Sequence, residues 1–156
     1  MRVLLQRCSR ASVRVGGELV AEIGSGLVAL VGVGHGDDEA TADAVARRIM
    51  ELRIFADESG RTNLSLLDVA GEVLVVSQFT LYADTAKGRR PGFTDAAPAE
   101  LAERLYGRVA AQLTALGAAE VATGKFGSEM AVELVNEGPF TIWLDTDNGR
   151  ATTRRT

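Results

Sequence analysis

The strongest constraint on the fold lies in residues 135–145, where Gly138-Pro139 interrupts an alternating apolar pattern. On both sides of this pair, apolar and polar residues alternate with the period of a β-strand. Proline has no N–H for a sheet, and glycine permits unusual dihedrals or a close approach of another molecule. The dipeptide alone favours a hairpin turn. The alternative is a fixed backbone device whose carbonyls point at a ligand.

Composition limits the class of protein. The chain has 156 residues, of which 46% are hydrophobic and 24% charged, values that suit one domain with a proper core. We assign residues 1–147 to this domain and residues 148–156 to a polar tail. The net charge of −4 argues against a protein that coats nucleic acid, but it permits a small contact with one RNA end.

Charges follow Met1 too early for a signal peptide, and the longest apolar run is too short to cross a bilayer. We therefore expect a cytoplasmic protein without membrane contact. The chain contains one cysteine, Cys8, and one histidine, His35, too few for a disulfide or a usual zinc site. Cys8 is expected to be a buried hydrophobe and His35 an ordinary loop residue. We expect neither metal nor cofactor.

The order of the patterns predicts an α+β protein with mainly antiparallel sheet and two main helices. Short glycine turns join the first three predicted strands into an antiparallel meander. The predicted strands are residues 2–15, 19–23, 27–33, 52–55, 73–82 and 120–123, and residues 63–67 look irregular. One helix is predicted for residues 42–52, capped by Asp38 or Thr41, and another begins near Pro98 and ends at Gly117.

Polar side chains end one of the apolar strands, and a basic loop follows them. Ser77, Gln78 and Thr80 lie where a rigid strand would present them to a substrate, although they could equally bond to neighbouring backbone. The basic loop, residues 87–92, could contact phosphates, but its composition alone favours solvation.

Three motifs then occur together in a fixed order. Ser-Gln-Phe-Thr-Leu-Tyr-Ala-Asp at residues 77–84 is followed by Lys-Gly-Arg-Arg-Pro at residues 87–91, with Phe93 after it. Gly-Lys-Phe-Gly at residues 124–127 leads through Met130 to Asn-Glu-Gly-Pro-Phe-Thr at residues 136–141. Together with residues 1–7, these motifs resemble the D-aminoacyl-tRNA deacylase family over the chain to about Asp145. The sequence has Glu137 and Phe140 where Asp and Val are usual.

The resemblance implies a homodimeric hydrolase with its active sites at the subunit interface. Such an enzyme cleaves the ester between a D-amino acid, or glycine mischarged on the tRNA for alanine, and the terminal ribose of tRNA. It implies that Gly138-Pro139 is a cis peptide inserted into the partner's site, where its carbonyls reject L-residues. The matching positions are Ser77, Gln78, Phe79 and Thr80 for catalysis, and Gly138, Pro139, Arg7 and Met130 for selection of the substrate.

The residues also suggest a mechanism. We expect the backbone N–H groups of Gln78 and Phe79 to stabilise the oxyanion. Thr80 has no base to activate it, so we expect it to be positional and the ribose 2′-hydroxyl to assist the attack. Contact with the tRNA 3′ end is expected at Lys87, Arg89, Arg90 and Phe126. Two alternatives remain: an inactive RNA-end or small-ligand binding module of this fold, and a Thr80 esterase for free small molecules.

Overall fold

Strands and helices alternate along the chain, and the computed structural model describes residues 1–146. The elements are β1 (Arg2–Val15), β2 (Glu18–Ile23), β3 (Gly26–Gly32), α1 (Glu39–Glu51), β4 (Phe55–Ala56), β5 (Thr62–Leu64), β6 (Glu72–Ser77), a 3₁₀ helix (Phe79–Tyr82), α2 (Ala99–Ala115), β7 (Glu120–Thr123) and β8 (Ala131–Asp145).

The central sheet is mixed, with strand order β2-β1-β3-β6-β7 and with β8 paired to β1. β1 pairs antiparallel with β2, β3 and β8, whereas β3–β6 and β6–β7 are parallel. The predicted meander is wrong because β3 pairs with residues 2–8 of β1 rather than with β2. A mainly antiparallel sheet is also too simple, because α1 and α2 lie in the connections from β3 to β6 and from β6 to β7, and helical crossovers produce parallel pairs.

The core lies on both faces of β3 and β6, which explains why these strands are apolar throughout. One face packs against the two helices, through side chains that include Val45, Ile49, Leu105, Val109 and Leu113. The other face is covered by the far half of β1 and by β2. Cys8 is buried there, as expected, and burial raises the pKa of its thiol to about 11.

Both predicted helices are present, although α1 begins at Glu39 rather than at the predicted Ala42. Asp38 caps α1, since its Oδ1 accepts the N–H of Thr41 at 2.8 Å. α2 follows Pro98 and ends before Gly117, which has φ +100°. In both helices the apolar stripe faces the sheet, which confirms the helical spacing read from the sequence.

Two strand predictions were wrong in their extent. β6 ends at Ser77 rather than at Tyr82, because its partner β3 ends and the last paired residues are Val31 and Ser77. The predicted strand 52–55 shrinks to β4, which pairs with β5 inside the stretch expected to be irregular. The predicted polar tail, residues 148–156, lies outside the described residues.

β8 passes through Gly138-Pro139 without turning back. Residues 131–136 and 141–145 both pair with β1, which leaves residues 137–140 opposite Arg7 alone. We call residues 137–140 the Gly-Pro bulge. The predicted hairpin is wrong because β8 continues along β1 on both sides of the pair. The predicted cis bond is also wrong, since the described residues contain no cis peptide bond. Pairing with β1 on each side makes the extra residues a bulge, and trans X-Pro bonds are favoured by about 0.5–1 kcal/mol.

Gly26 gives a test of this packing. A Cβ at Gly26 would lie 1.9 Å from the Glu72 carbonyl oxygen, so Gly26→Ala must push β3 away from β6. We expect a loss of at least about 2 kcal/mol in the free energy of unfolding, measured by urea denaturation.

The matched control is Gly107→Ala, since a Cβ there meets no atom within 4 Å in the middle of α2. This change should stabilise the protein by about 0.5–1 kcal/mol, because alanine is the better helix former. Equal stability of the two variants would contradict the close approach of β3 and β6.

Candidate active site

The end of β6 opens into an apolar pocket of about 650 Å³. It lies between the 3₁₀ helix, the start of α2 and the turn before β8. Its lining residues are Val76, Ser77, Gln78, Phe79, Phe93, Ala96, Ala97, Ala99, Ala102, Phe126, Gly127, Ser128, Glu129, Met130 and Val132. The pocket therefore brings together five predicted site residues, namely Ser77, Gln78, Phe79, Phe126 and Met130.

The floor of the pocket is fixed by the end of β3. The N–H of Gln78 donates to the Val31 carbonyl at 2.8 Å. A Cβ on Gly32 would lie 2.9 Å from the Gln78 carbonyl oxygen, so the two chains are in close contact here. Because its N–H is used in this bond, Gln78 cannot provide the backbone donor predicted for it.

Contacts made by Gly34 and Arg2 fix the position of the 3₁₀ helix after Gln78. Tyr82 is buried, and a Cβ on Gly34 would lie 2.7 Å from its hydroxyl oxygen. Arg2 donates to the Leu81 carbonyl at 3.1 Å, and its guanidinium lies 4.4 Å from the centre of the Tyr82 ring. These contacts fix the backbone that carries Phe79 into the pocket.

Phe79 starts the 3₁₀ helix, and its N–H meets no acceptor within residues 1–146. Its side chain is 54% exposed and contacts the ring of Phe93 edge to face, with centroids 5.0 Å apart. The backbone at Phe79 thus offers an unused donor beside an apolar pocket. Such a donor stabilises negative charge that develops on a bound carbonyl oxygen.

Thr80 is exposed and does not line the pocket. The side-chain amide of Gln78 donates to the Thr80 hydroxyl oxygen. A carboxamide N–H cannot accept the proton that a nucleophilic hydroxyl has to lose. His35 is engaged elsewhere, with Nε2 at 2.8 Å from the Thr94 carbonyl oxygen.

The opposite wall is formed by Phe126 and Met130. A Cβ on Gly124 would lie 2.7 Å from the Met130 sulfur, so glycine is needed for this contact. The Tyr106 hydroxyl lies 3.3 Å from the carbonyl oxygens of Val75 and Gly124, and its ring lies 6.0 Å from that of Phe126. Burial raises the pKa of Tyr106, so this hydroxyl stays a neutral donor at physiological pH.

The alanine wall was missed by the sequence analysis. Ala96, Ala99 and Ala102 all line the pocket. Ala99 and Ala102 share one face of α2, and their spacing of three residues was a readable signal in the sequence. Ala96 precedes the helix and forms a bridge with Gly34. Small side chains there leave the volume that the pocket occupies. Phe93 was noted only as part of a motif, although the structure gives it a direct contact with Phe79.

Other predicted residues lie outside this pocket. Arg7 lies against Gly138 at the Gly-Pro bulge, and neither of these residues nor Pro139 lines the pocket of the same chain. The side chains of Lys87, Arg89 and Arg90 are exposed in a loop closed by two backbone bonds between Asp84 and Gly92. This loop leads directly into Phe93.

The structure also bears on metal binding and on membrane spanning. Residues 1–146 contain no group of three or more His, Cys, Asp or Glu side chains that could hold a metal ion. Among the helices in this part of the chain, none has the length and apolarity needed to cross a membrane.

Known proteins resemble this chain closely in sequence. The family model described as D-Tyr-tRNA(Tyr) deacylase matches residues 4–145. A Thermomicrobium roseum protein named D-aminoacyl-tRNA deacylase is 60% identical over 146 residues, which are 94% of this chain and 94% of the relative. A Ruegeria pomeroyi protein of the same name is 56% identical over 145 residues, which are 93% and 99% of the two chains.

Solved structures agree with these relatives. The c-Myc DNA unwinding element binding protein has a TM-score of 0.89 at 40% identity, over 94% of this chain and 99% of that one. A probable eukaryotic D-amino acid tRNA deacylase has a TM-score of 0.81 at 17% identity, over 92% and 97%, which shows a shared fold. The resemblance inferred from the motifs is confirmed, and the chain belongs to the D-Tyr-tRNA(Tyr) deacylase family.

Proposed function

We propose that this protein hydrolyses the ester between a D-amino acid and the 3′ end of tRNA, releasing the free amino acid and tRNA. The observation that carries the proposal is the 60% identity, over 146 residues, to a relative named D-aminoacyl-tRNA deacylase. The pocket at the end of β6 gives the ester a place to bind. Glycine mischarged on the tRNA for alanine is a further substrate. Charged tRNA is used in the cytoplasm, where we place the protein.

The assay measures the release of labelled tyrosine from D-tyrosyl-tRNA and from L-tyrosyl-tRNA. The label that remains on tRNA precipitates in acid and is counted over time. We expect the D-ester to be hydrolysed, glycyl-tRNA to be hydrolysed as well, and the L-ester to survive. A folded protein that binds D-tyrosyl-tRNA without releasing tyrosine would show a binding module instead of an enzyme.

The chemistry that we propose uses the main chain rather than an acid–base pair. Water attacks the carbonyl carbon of the ester and places negative charge on the carbonyl oxygen, and the N–H of Phe79 is the unused donor beside the pocket. The ribose 2′-hydroxyl next to the ester assists by passing a proton from the water to the ribose 3′-oxygen, which leaves as its bond to the carbonyl carbon breaks. The roles of Ser77 and Gln78 are to shape the floor of the pocket, while Thr80 holds the Gln78 side chain through its hydroxyl oxygen.

Phe79→Pro tests the main-chain donor, because proline lacks the N–H and is tolerated at the first residue of a helix. We expect kcat to fall by about a hundredfold to a thousandfold, the usual effect of removing one oxyanion donor. Phe79→Leu keeps the N–H and should mainly raise KM through the lost contact with Phe93. Equal kcat values for the two variants would rule out the donor.

Thr80→Ala tests whether the hydroxyl of Thr80 is the nucleophile. It should retain substantial activity, since no base contacts the hydroxyl in the described part of the chain. A tRNA ending in 2′-deoxyadenosine should react poorly with the wild-type protein. Loss of turnover in Thr80→Ala, together with normal hydrolysis of the deoxy substrate, would make Thr80 the nucleophile.

Stereochemical selection needs a rigid wall, because D- and L-residues carry the same groups. We propose that the carbonyls of Gly138 and Pro139 form that wall in the pocket of a partner subunit of a homodimer. Three observations support this arrangement. Residues 137–139 of the Gly-Pro bulge are exposed, and the bulge is separate from the pocket of its own chain. Within residues 1–146, β8 pairs along one edge only. Val132 at the pocket and Trp143 on β8 are exposed apolar side chains.

The dimer is tested by mixing two impaired chains, Phe79→Pro and Gly138→Val. We expect the second to lose hydrolysis as well as selection, because the displaced carbonyls of the Gly-Pro bulge no longer hold the α-amino group of the substrate. Valine is excluded at Gly138 because φ is +111° and a Cβ would lie 2.6 Å from the Arg7 guanidinium. If pocket and bulge come from different subunits, co-refolding should restore about a quarter of the wild-type activity, since half of the dimers are mixed and each has one intact site.

Each variant refolded alone is the control and should stay inactive. No recovery in the mixture, with mixed dimers shown by mass spectrometry, would place the whole site within one chain.

We propose that the acceptor end of the tRNA lies along the loop that carries Lys87, Arg89 and Arg90. All three side chains are exposed, and the loop ends at Phe93 on the pocket wall. Cationic side chains at this place meet the phosphates that precede the terminal adenosine. On the opposite wall of the pocket, Phe126 presents an aromatic face on which a base at the end of the RNA can stack.

A further inference from the structure

Arg7 lies directly against the Gly-Pro bulge. Its Nε donates to the Glu137 carbonyl at 3.3 Å, and its Nη1 donates to the Ile54 carbonyl on the other side. Its Nη2 lies against Gly138, since a Cβ there would be only 2.6 Å away. The guanidinium is thus tied to the bulge at one end and to the segment before β4 at the other.

These two hydrogen bonds use donors in the plane of the guanidinium, and they leave its flat face to be covered. The ring of Phe140 does this, with its centroid 4.8 Å from the Arg7 Cζ. A cation over an aromatic face is attracted by the ring quadrupole, and the planar guanidinium stacks well on such a face. Phe140 therefore opposes a tilt that the in-plane bonds alone permit.

The backbone of Phe140 is fixed independently of its ring. The side-chain amide of Asn136 donates to the Phe140 carbonyl at 3.1 Å and to the Arg7 carbonyl at 2.9 Å. Its oxygen accepts the hydroxyl of Thr141 at 3.3 Å. One amide thus connects both ends of the bulge to β1, and the ring of Phe140 projects from a pinned position. It is also half-buried against the core.

We propose that Phe140 is a positioning residue for stereochemical selection. Its ring holds Arg7 in one plane, and Arg7 in turn holds the carbonyls of Gly138 and Pro139 in one direction. A looser bulge would present the same carbonyls over a range of directions, and an L-residue would be rejected less well. The inference rests on the proposed function and adds a residue to it that contacts neither the pocket nor the ester.

The test compares kcat/KM for D-tyrosyl-tRNA and L-tyrosyl-tRNA in three proteins: wild type, Phe140→Leu and Phe140→Tyr. Leucine keeps the apolar bulk but has no π face, so the ratio of D to L should fall about twofold to thirtyfold, the range of cation–π strengths. Tyrosine keeps the face and should restore the ratio. A merely structural role would lower both kcat/KM values together and leave the ratio unchanged.

A double-mutant cycle with Arg7→Met shows whether Phe140 acts through Arg7. Methionine has neither the charge nor the planar face of the guanidinium. In the Arg7→Met background, Phe140→Leu should change the ratio of D to L by less than twofold, because the contact between cation and ring is already lost. Additive effects of the two changes would overturn the inference.

The outcomes separate this inference from the proposed function. A wild-type protein that releases no D-tyrosine overturns the proposed function itself. An active wild-type protein whose ratio of D to L is unchanged in Phe140→Leu overturns only the role of Phe140. A lower ratio in Phe140→Leu that Phe140→Tyr restores supports it.

Discussion

The pairing of β1 with β8 is the constraint on which the rest of the structure depends. The two strands run along each other from Arg2 and Asp145 at one end to Arg14 and Ala131 at the other. Because both halves of β8 are held in register, the four residues of the Gly-Pro bulge lie opposite Arg7 alone on β1. A strand pair that is rigid on both sides can present a short piece of backbone in a fixed direction.

Close packing at three glycines fixes the main chain around the candidate site. Gly32 and Gly34 let the end of β3 touch the Gln78 carbonyl and Tyr82, while Gly124 lets Met130 close the opposite wall. Each contact fixes a piece of main chain rather than a titratable side chain. This agrees with a reaction in which position and amide dipoles, instead of a proton relay, lower the barrier.

The sequence was informative where one local pattern decides the structure. The cap at Asp38 and the stripe of α2 were predicted because spacing along one helix is enough to show them. The order of the strands in the sheet was not predicted. β2 and β3 pair with different halves of β1, and this arrangement depends on packing between residues that are distant in sequence. The prediction that the Gln78 N–H stabilises the oxyanion was wrong for the same reason, since this N–H donates to Val31, which is far away in sequence. The Gly-Pro pair was recognised as special, but its conformation depends on β1.

The central claim is that a bulge from one subunit filters the configuration of an ester bound in the other. The most direct measurement is a crystal structure with a non-hydrolysable 3′-amide analogue of D-tyrosyl-adenosine. We expect a homodimer in which the ligand's carbonyl group faces the N–H of Phe79, while its α-amino group lies within hydrogen-bond distance of the Gly138 or Pro139 carbonyl of the other subunit. A ligand bound beside Phe79 with both bulges remote from it would contradict the account.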